Sequence, residues 1–295
     1  MDVSTVVDDS GNAISFKQYK GRRFHPSMVG NIADTLANIS SLRVLKDDVL
    51  LCSYPKSGIH WVHSMVQMLR GKSLEYHGSP CMVEFDNLTS VNSNRTYGTH
   101  LTYPFIPEEA KKGNVKVIHV LRNPKDVLCS FYEYQRKLDN GLYKGDFNGM
   151  LNCFLSDGVP TCGASWFTHV KEWEMAKKMN PRLNCLSLRY EDLKRDLFSN
   201  IVKLAMFLDV DHDEKFLRQV EHALSIDNLR REHNTPKGGT KKYSTWIKDG
   251  RLPIYRKGIV GDWKETLTVK QNETFDAVFK EKMADMSIDL DFDFE

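Results

Sequence analysis

The chain has 295 residues, and its 41 Lys and Arg against 39 Asp and Glu leave a formal net charge of +2. That length suits one large α/β domain with a sizeable core. The near-balance of charge gives no reason to expect a nucleic-acid partner, no apolar run is long enough for a membrane span, and the six cysteines lack CxxC spacing.

Residues 1–25 read as a polar N-terminal lead-in, followed by a single domain over 26–295. The acidic start, MDVSTVVDDSGNAISF, is unlike a secretory signal. The cysteines are therefore expected to be reduced thiols and the protein cytoplasmic. The sequons at Asn38, Asn87, Asn94 and Asn272 are then expected to be idle. Asp48–Tyr54 (DVLLCSY) has the apolar continuity of a buried strand. It runs into Pro55-Lys56-Ser57-Gly58, and a helix is expected next, with Trp61, Met65, Met68 and Leu69 on one face and Gly71 as its stop. The same order recurs. Val115–Leu121 predicts a strand broken by Arg122-Asn123-Pro124, and Asp126–Leu138 a helix. Residues 141–160 read as irregular. Leu183–Leu188 predicts a further strand, followed by Arg189-Tyr190-Glu191-Asp192 and a helix over Asn200–Leu208. Residues 234–252, rich in Lys, Gly and Thr, read as a loop, and the closing DLDFDFE as a short strand or a solvated tail.

Strands alternating with helices predict an α/β fold, with a central parallel sheet flanked by helices on both faces. Such sheets bind ligands beyond the carboxyl ends of their strands, and Lys56, Arg122 and Tyr190 each follow a strand. A strand, a glycine turn and a helix make a phosphate cradle, because the first amides of a helix are unpaired and point at the anion. Lys56 adds a mobile positive charge. The GxxxxGK[ST] loop of the common mononucleotide binders is absent, which argues against a kinase. Arg256-Lys257-Gly258 and Arg122 supply further cations, and two separate cationic groups suit a ligand with two phosphate positions.

Taken together and in this order, YPKSG-xx-W, RNPKDVLCS, RYEDLK and RKGIVGDWK resemble the cytosolic sulfotransferases, from about Tyr54 to the end of the chain. The resemblance implies 3′-phosphoadenosine 5′-phosphosulfate as donor and no metal. It implies that Lys56, Ser57, Gly58, Ile59 and His60 hold the 5′-phosphosulfate, and that Arg122, Ser130, Arg256, Lys257 and Gly258 hold the 3′-phosphate. Trp61, Tyr190 and Ile226 would meet the adenine. His100, in Gly98-Thr99-His100-Leu101, matches the general base, and Lys56, with Ser130, completes the catalytic set. The sequence departs from the family pattern in four places. Ile59 and His60 stand where threonines are usual, Gly98 where a lysine is frequent, and Ile226 where an aromatic residue is frequent. Two lost hydroxyls would each be worth roughly 1.5–3 kcal/mol against a charged partner. A second reading is therefore a protein that keeps the fold and binds the nucleotide or a small molecule with little turnover. Lys264–Glu273 fits the family's KxxxTVxxxE dimer motif, implying a homodimer. The acceptor is read only as a small, largely apolar hydroxyl or amine compound, with Phe85, Tyr103, Phe105, Phe147, Phe154 and Tyr255 as candidate liners.

Overall fold

The computed structural model describes residues 3–8, 10–28, 30–86, 95–138, 143–233 and 254–286. The strands are β1 (Ser4–Val7), β2 (Ala13–Tyr19), β3 (Arg22–Phe24), β4 (Val49–Ser53), β5 (Cys81–Met82), β6 (Thr96–Thr99), β7 (Lys116–Leu121) and β8 (Cys185–Arg189). The helices are α1 (Ile32–Ser40), α2 (Ile59–Gly71), α3 (Glu108–Lys111), α4 (Pro124–Lys137), α5 (Phe147–Leu155), α6 (Trp166–Met179), α7 (Tyr190–Arg195), α8 (Leu197–Phe207), α9 (Glu214–Ala223), α10 (Ile226–His233), α11 (Trp263–Thr266) and α12 (Val269–Met283).

Five parallel strands form the central sheet in the order β5-β6-β4-β7-β8. Every residue of β4 is buried, as expected of a parallel strand covered on both faces. Val49 and Leu51 face a core built with α2, α8 and α9, while Leu50 and Cys52 face one built with α1 and Trp173 of α6. The strands expected around 48–54, 115–121 and 183–188 are β4, β7 and β8. The chain leaves β4, adds β5 and β6 on one side, then returns to add β7 and β8 on the other. This reversal puts a crevice at the carboxyl end of β4, where sheets of this kind bind ligands.

Two expectations of irregular structure are corrected. Residues 4–24 are not a bare lead-in: β1, β2 and β3 form a separate antiparallel sheet. Ile14, Phe16 and Phe24 are buried, and alternate residues of β2 face inward, a short period-2 signal that the surrounding polar residues mask. A bridge from Phe24 to Cys162 and a 2.7 Å hydrogen bond from His25 N to Thr161 O anchor this sheet beside the main one. Within 141–160, Asp146 caps α5 by accepting from Gly149 N, and α5 buries Met150, Leu151, Phe154 and Leu155. Packing overrides the low helix propensity of Gly149 and Asn152 there. The expected loop over 234–252 and the closing DLDFDFE lie outside the described residues. All six cysteines are free thiols.

Candidate active site

The loop between β4 and α2 is shaped by two left-handed residues, Lys56 at φ 70° and Gly58 at φ 107°. For lysine this conformation is uncommon and carries strain of the kind concentrated at functional sites. Gly58 also leaves little room for a side chain, since a Cβ there would stand 3.0 Å from Cδ2 of Tyr190. No side chain caps α2, so its N-terminus is open to an anion.

Four adjacent strands deliver one functional side chain each at their carboxyl ends. His100 follows β6, Lys56 follows β4, Arg122 follows β7 and Tyr190 follows β8. Arg122 Nη1 donates to Lys56 O at 3.1 Å, its guanidinium stacks 4.2 Å over the Tyr190 ring, and its Nη2 donates to Ile259 O at 3.3 Å. The RKG segment is fastened from the same side, with Asp126 accepting from Gly261 N at 2.9 Å and from Trp263 N at 3.1 Å. Arg256 and Lys257 both pair with the buried carboxylate of Asp262. Ile226 packs on Gly258, where an added Cβ would meet its Cγ1 at 2.7 Å. Trp61 is buried, donates from Nε1 to Leu224 O at 3.0 Å and meets Tyr190 edge-on.

These residues enclose a cavity of about 380 Å³. All the site residues expected from the sequence line it except Ser57, whose side chain is buried within the loop. Three of the lining residues carry buried polar atoms with no hydrogen-bond partner among the described residues, His60 Nδ1, Arg122 Nε and Arg256 Nε, and Ser57 Oγ, off the cavity, is a fourth. Buried polar atoms normally have a partner, so these are the atoms that the protein leaves for a ligand to satisfy. Burial, reinforced by Arg122, Arg256 and Lys137, holds Lys56 down to about 7. The charge on its ammonium is therefore poised near neutrality and favoured by an incoming anion. Among the described residues, no group of three or more His, Cys, Asp or Glu is placed to hold a metal ion.

His100 is held by two contacts. Its Nδ1 lies 2.8 Å from Ser53 O. A carbonyl only accepts, so Nδ1 carries the proton and Nε2 is left as the basic nitrogen. Its backbone N–H donates to Glu84 at 2.7 Å, while the other oxygen of Glu84 accepts from Thr99 Oγ1 at 2.9 Å. Burial keeps His100 neutral, down to about 4, against the opposing pull of the Ser53 carbonyl. Burial also pushes the Glu84 carboxyl up to about 7. Glu84 was not singled out in the sequence; its signal is an acid inside the apolar stretch Met82-Val83-Glu84-Phe85, which has to be paired once buried.

The wall beyond His100 comes partly from segments not read as functional. His25 and Ser27, which follow β3, line the cavity with Met82, Tyr134, Leu138 and Cys162. Of the candidate liners, Phe85 and Tyr255 face the cavity. Tyr103 instead packs on Trp173, Phe105 on Phe24, Phe147 on Tyr132, and Phe154 on Tyr54. Two of the departures from the family pattern touch. A Cβ on Gly98 would stand 2.5 Å from Met82 Sδ, 3.2 Å from Pro80 Cβ and 3.3 Å from Ile59 Cδ1, so Met82 chiefly fills the space beside Gly98 and Ile59 borders it.

The sulfotransferase domain model matches residues 46–287. Human sulfotransferase 1C2 is 31% identical over 97% of this chain and 98% of its own length. Rabbit amine sulfotransferase is 28% identical, covering 93% of each chain. Among solved structures, a mouse sulfotransferase, SULT7A1, complexed with PAP, superposes with a TM-score of 0.76 at 28% identity, covering 92% of this chain and 96% of that one. With the strand-end cluster and this match across nearly the whole length, the chain belongs to the sulfotransferase family, the enzymes that take their sulfuryl group from 3′-phosphoadenosine 5′-phosphosulfate.

Proposed function

We propose that this chain moves the sulfuryl group to a hydroxyl or amine of a small, largely apolar acceptor by in-line displacement at sulfur. His100 Nε2 takes the acceptor proton as the acceptor oxygen or nitrogen bonds to sulfur. The bond from sulfur to the bridging phosphate oxygen breaks, and the electron pair leaves on that oxygen. Lys56 neutralises the charge that builds there, and the amides opening α2 face the remaining oxygens, as in other preorganised anion holes. Arg122, Ser130, Arg256, Lys257 and Gly258 hold the 3′-phosphate, and Trp61, Tyr190 and Ile226 bound the adenine. The observation that carries this reading is the 2.8 Å contact of His100 Nδ1 with Ser53 O, which leaves Nε2 as a base in a cavity that Lys56 also lines. The rabbit relative is named an amine sulfotransferase, which keeps amines beside hydroxyl compounds in the acceptor class. A cytoplasmic location and a homodimer through Lys264–Glu273 belong to the same proposal.

The test joins binding and turnover. Calorimetry of the purified chain without added metal should show adenosine 3′,5′-bisphosphate binding much more tightly than adenosine 5′-monophosphate or ATP. His100→Ala should keep that binding and lose turnover by about 10²–10⁴-fold, the usual share of a positioned general base. Preference for ATP, or unchanged turnover by the variant, would overturn the assignment. Tight nucleotide binding with no turnover of any acceptor by the wild type would favour a protein that binds without transferring.

A further inference from the structure

His60 is the departure that brings an ionisable group into the donor loop. It is the second residue of α2 and lines the cavity. Its backbone carbonyl accepts from Ser64 Oγ at 3.1 Å and from the Tyr255 hydroxyl at 3.4 Å. Its ring Nδ1, by contrast, is buried with no hydrogen-bond partner among the described residues. The titratable groups facing the ring are Lys56 from the loop, His63 from α2 itself, His100 from the end of β6 and His233 from the end of α10. Tyr255 approaches from the RKG side, and Arg122 and Arg256 line the same cavity. Asp86 also lines the cavity but is not among the groups acting on the ring, so a proton on His60 meets desolvation and repulsion. Burial first, then Lys56, hold His60 well below the ordinary histidine range.

An anion beside the ring reverses that balance, since opposite charge in a desolvated site favours the charged form. The threonine hydroxyl usual at this position lends a hydrogen bond and nothing more, whereas an imidazole can lend a hydrogen bond and a whole charge. We propose that His60 takes up a proton from solvent when the 5′-phosphosulfate of the donor binds, and holds it as an imidazolium donating to that group's oxygens. This rests on the donor-site reading above. The ring passes from neutral to singly positive, and no bond between heavier atoms is made or broken. The complex then holds one proton more than its parts, so affinity for the donor rises as pH falls, by up to about tenfold per pH unit. Lys56 and the ligand's own phosphates add a pH dependence of their own, which a substitution at position 60 leaves in place.

Adenosine 3′,5′-bisphosphate serves as the probe. Titration calorimetry near neutral pH, in several buffers of different ionisation enthalpy, gives the number of protons exchanged. The wild type should take up about one proton more than His60→Gln and His60→Thr, and its affinity should fall more steeply with rising pH. Equal proton numbers in all three, with binding retained, would overturn the proposal. Should the variants fold poorly, ¹³C-histidine NMR of the wild type decides the matter. The His60 ring signal should move from the neutral to the imidazolium position on adding the bisphosphate, and a signal that stays neutral would overturn it. Failure of the wild type to bind the bisphosphate at all would overturn the donor-site reading, and this proposal with it.

Discussion

At the scale of single residues, the site works by keeping its bases uncharged and its cation loosely charged. His100 and His60 are neutral because they are buried among cations, and Lys56 is brought down to about 7 for the same reason. In the free protein the Lys56 ammonium is therefore present below that value and lost as pH rises through it. The kcat/KM for the donor, which reports free-enzyme ionisations, is expected to fall above about pH 7, whereas kcat, read in the donor complex where the anion raises the lysine, should stay flat to higher pH. Lys56→Arg, with a guanidinium that stays charged, should remove the share of the alkaline limb that Lys56 causes. A pH–rate profile in which kcat and kcat/KM fall together near neutrality in both forms would contradict this. Lys56 and Arg122 were legible in the sequence because each follows a predicted strand in a motif with its own chemical signature, whereas His100 was named only through the family resemblance. Glu84, Asp126 and Asp262 were not singled out, although they hold His100 and the RKG segment in place. Asp126 and Asp262 act as acceptors for backbone amides and cations, a role that leaves no mark on local pattern, and Glu84 shows only as an acid within an apolar stretch.

At the scale of elements, the decisive feature is how closely the β4–α2 loop meets the start of α7. Gly58 is the meeting point, with a positive φ and Tyr190 within van der Waals reach of the missing side chain. Gly58→Ala should strain the backbone by about 1–2 kcal/mol and push Tyr190 away from Arg122. A lower melting temperature together with weaker bisphosphate binding is the expected outcome; unchanged values for both would show that the loop is softer than its packing implies. The motif YPKSG announced a turn, and the glycine rule foretold its hand. That the opposite wall of the turn would be the tyrosine of RYEDLK required the order of strands, because β4 and β8 are separated in the sheet by β7.

For the molecule as a whole, the homodimer proposed above would place a second copy against the segment that opens α12. Val269 is 76% exposed at the first position of α12, behind a capping box formed by Thr268 and Gln271. The wild type is expected to sediment as a dimer at micromolar concentration, and Val269→Glu as a monomer with an unchanged melting temperature. An acid at a helix N-terminus is itself well tolerated, so monomerisation would reflect the lost apolar contact. The interface would be small for a stable dimer, and a wild type that sediments as a monomer would sink the idea. The sequence by itself determined the alternation of buried strands with helices, the anion-binding turn, the cationic segments and the order in which they occur, because continuous apolar runs and glycine or arginine motifs are local signals. Only the tertiary structure decided which of these meet, that the segment after β3 brings His25 and Ser27 to the cavity wall, that Met82, Pro80 and Ile59 crowd the space beside Gly98, and that Glu84 stands behind His100. Those outcomes depend on strand order and on burial, which bring together residues far apart along the chain, and local pattern carries no record of such distances.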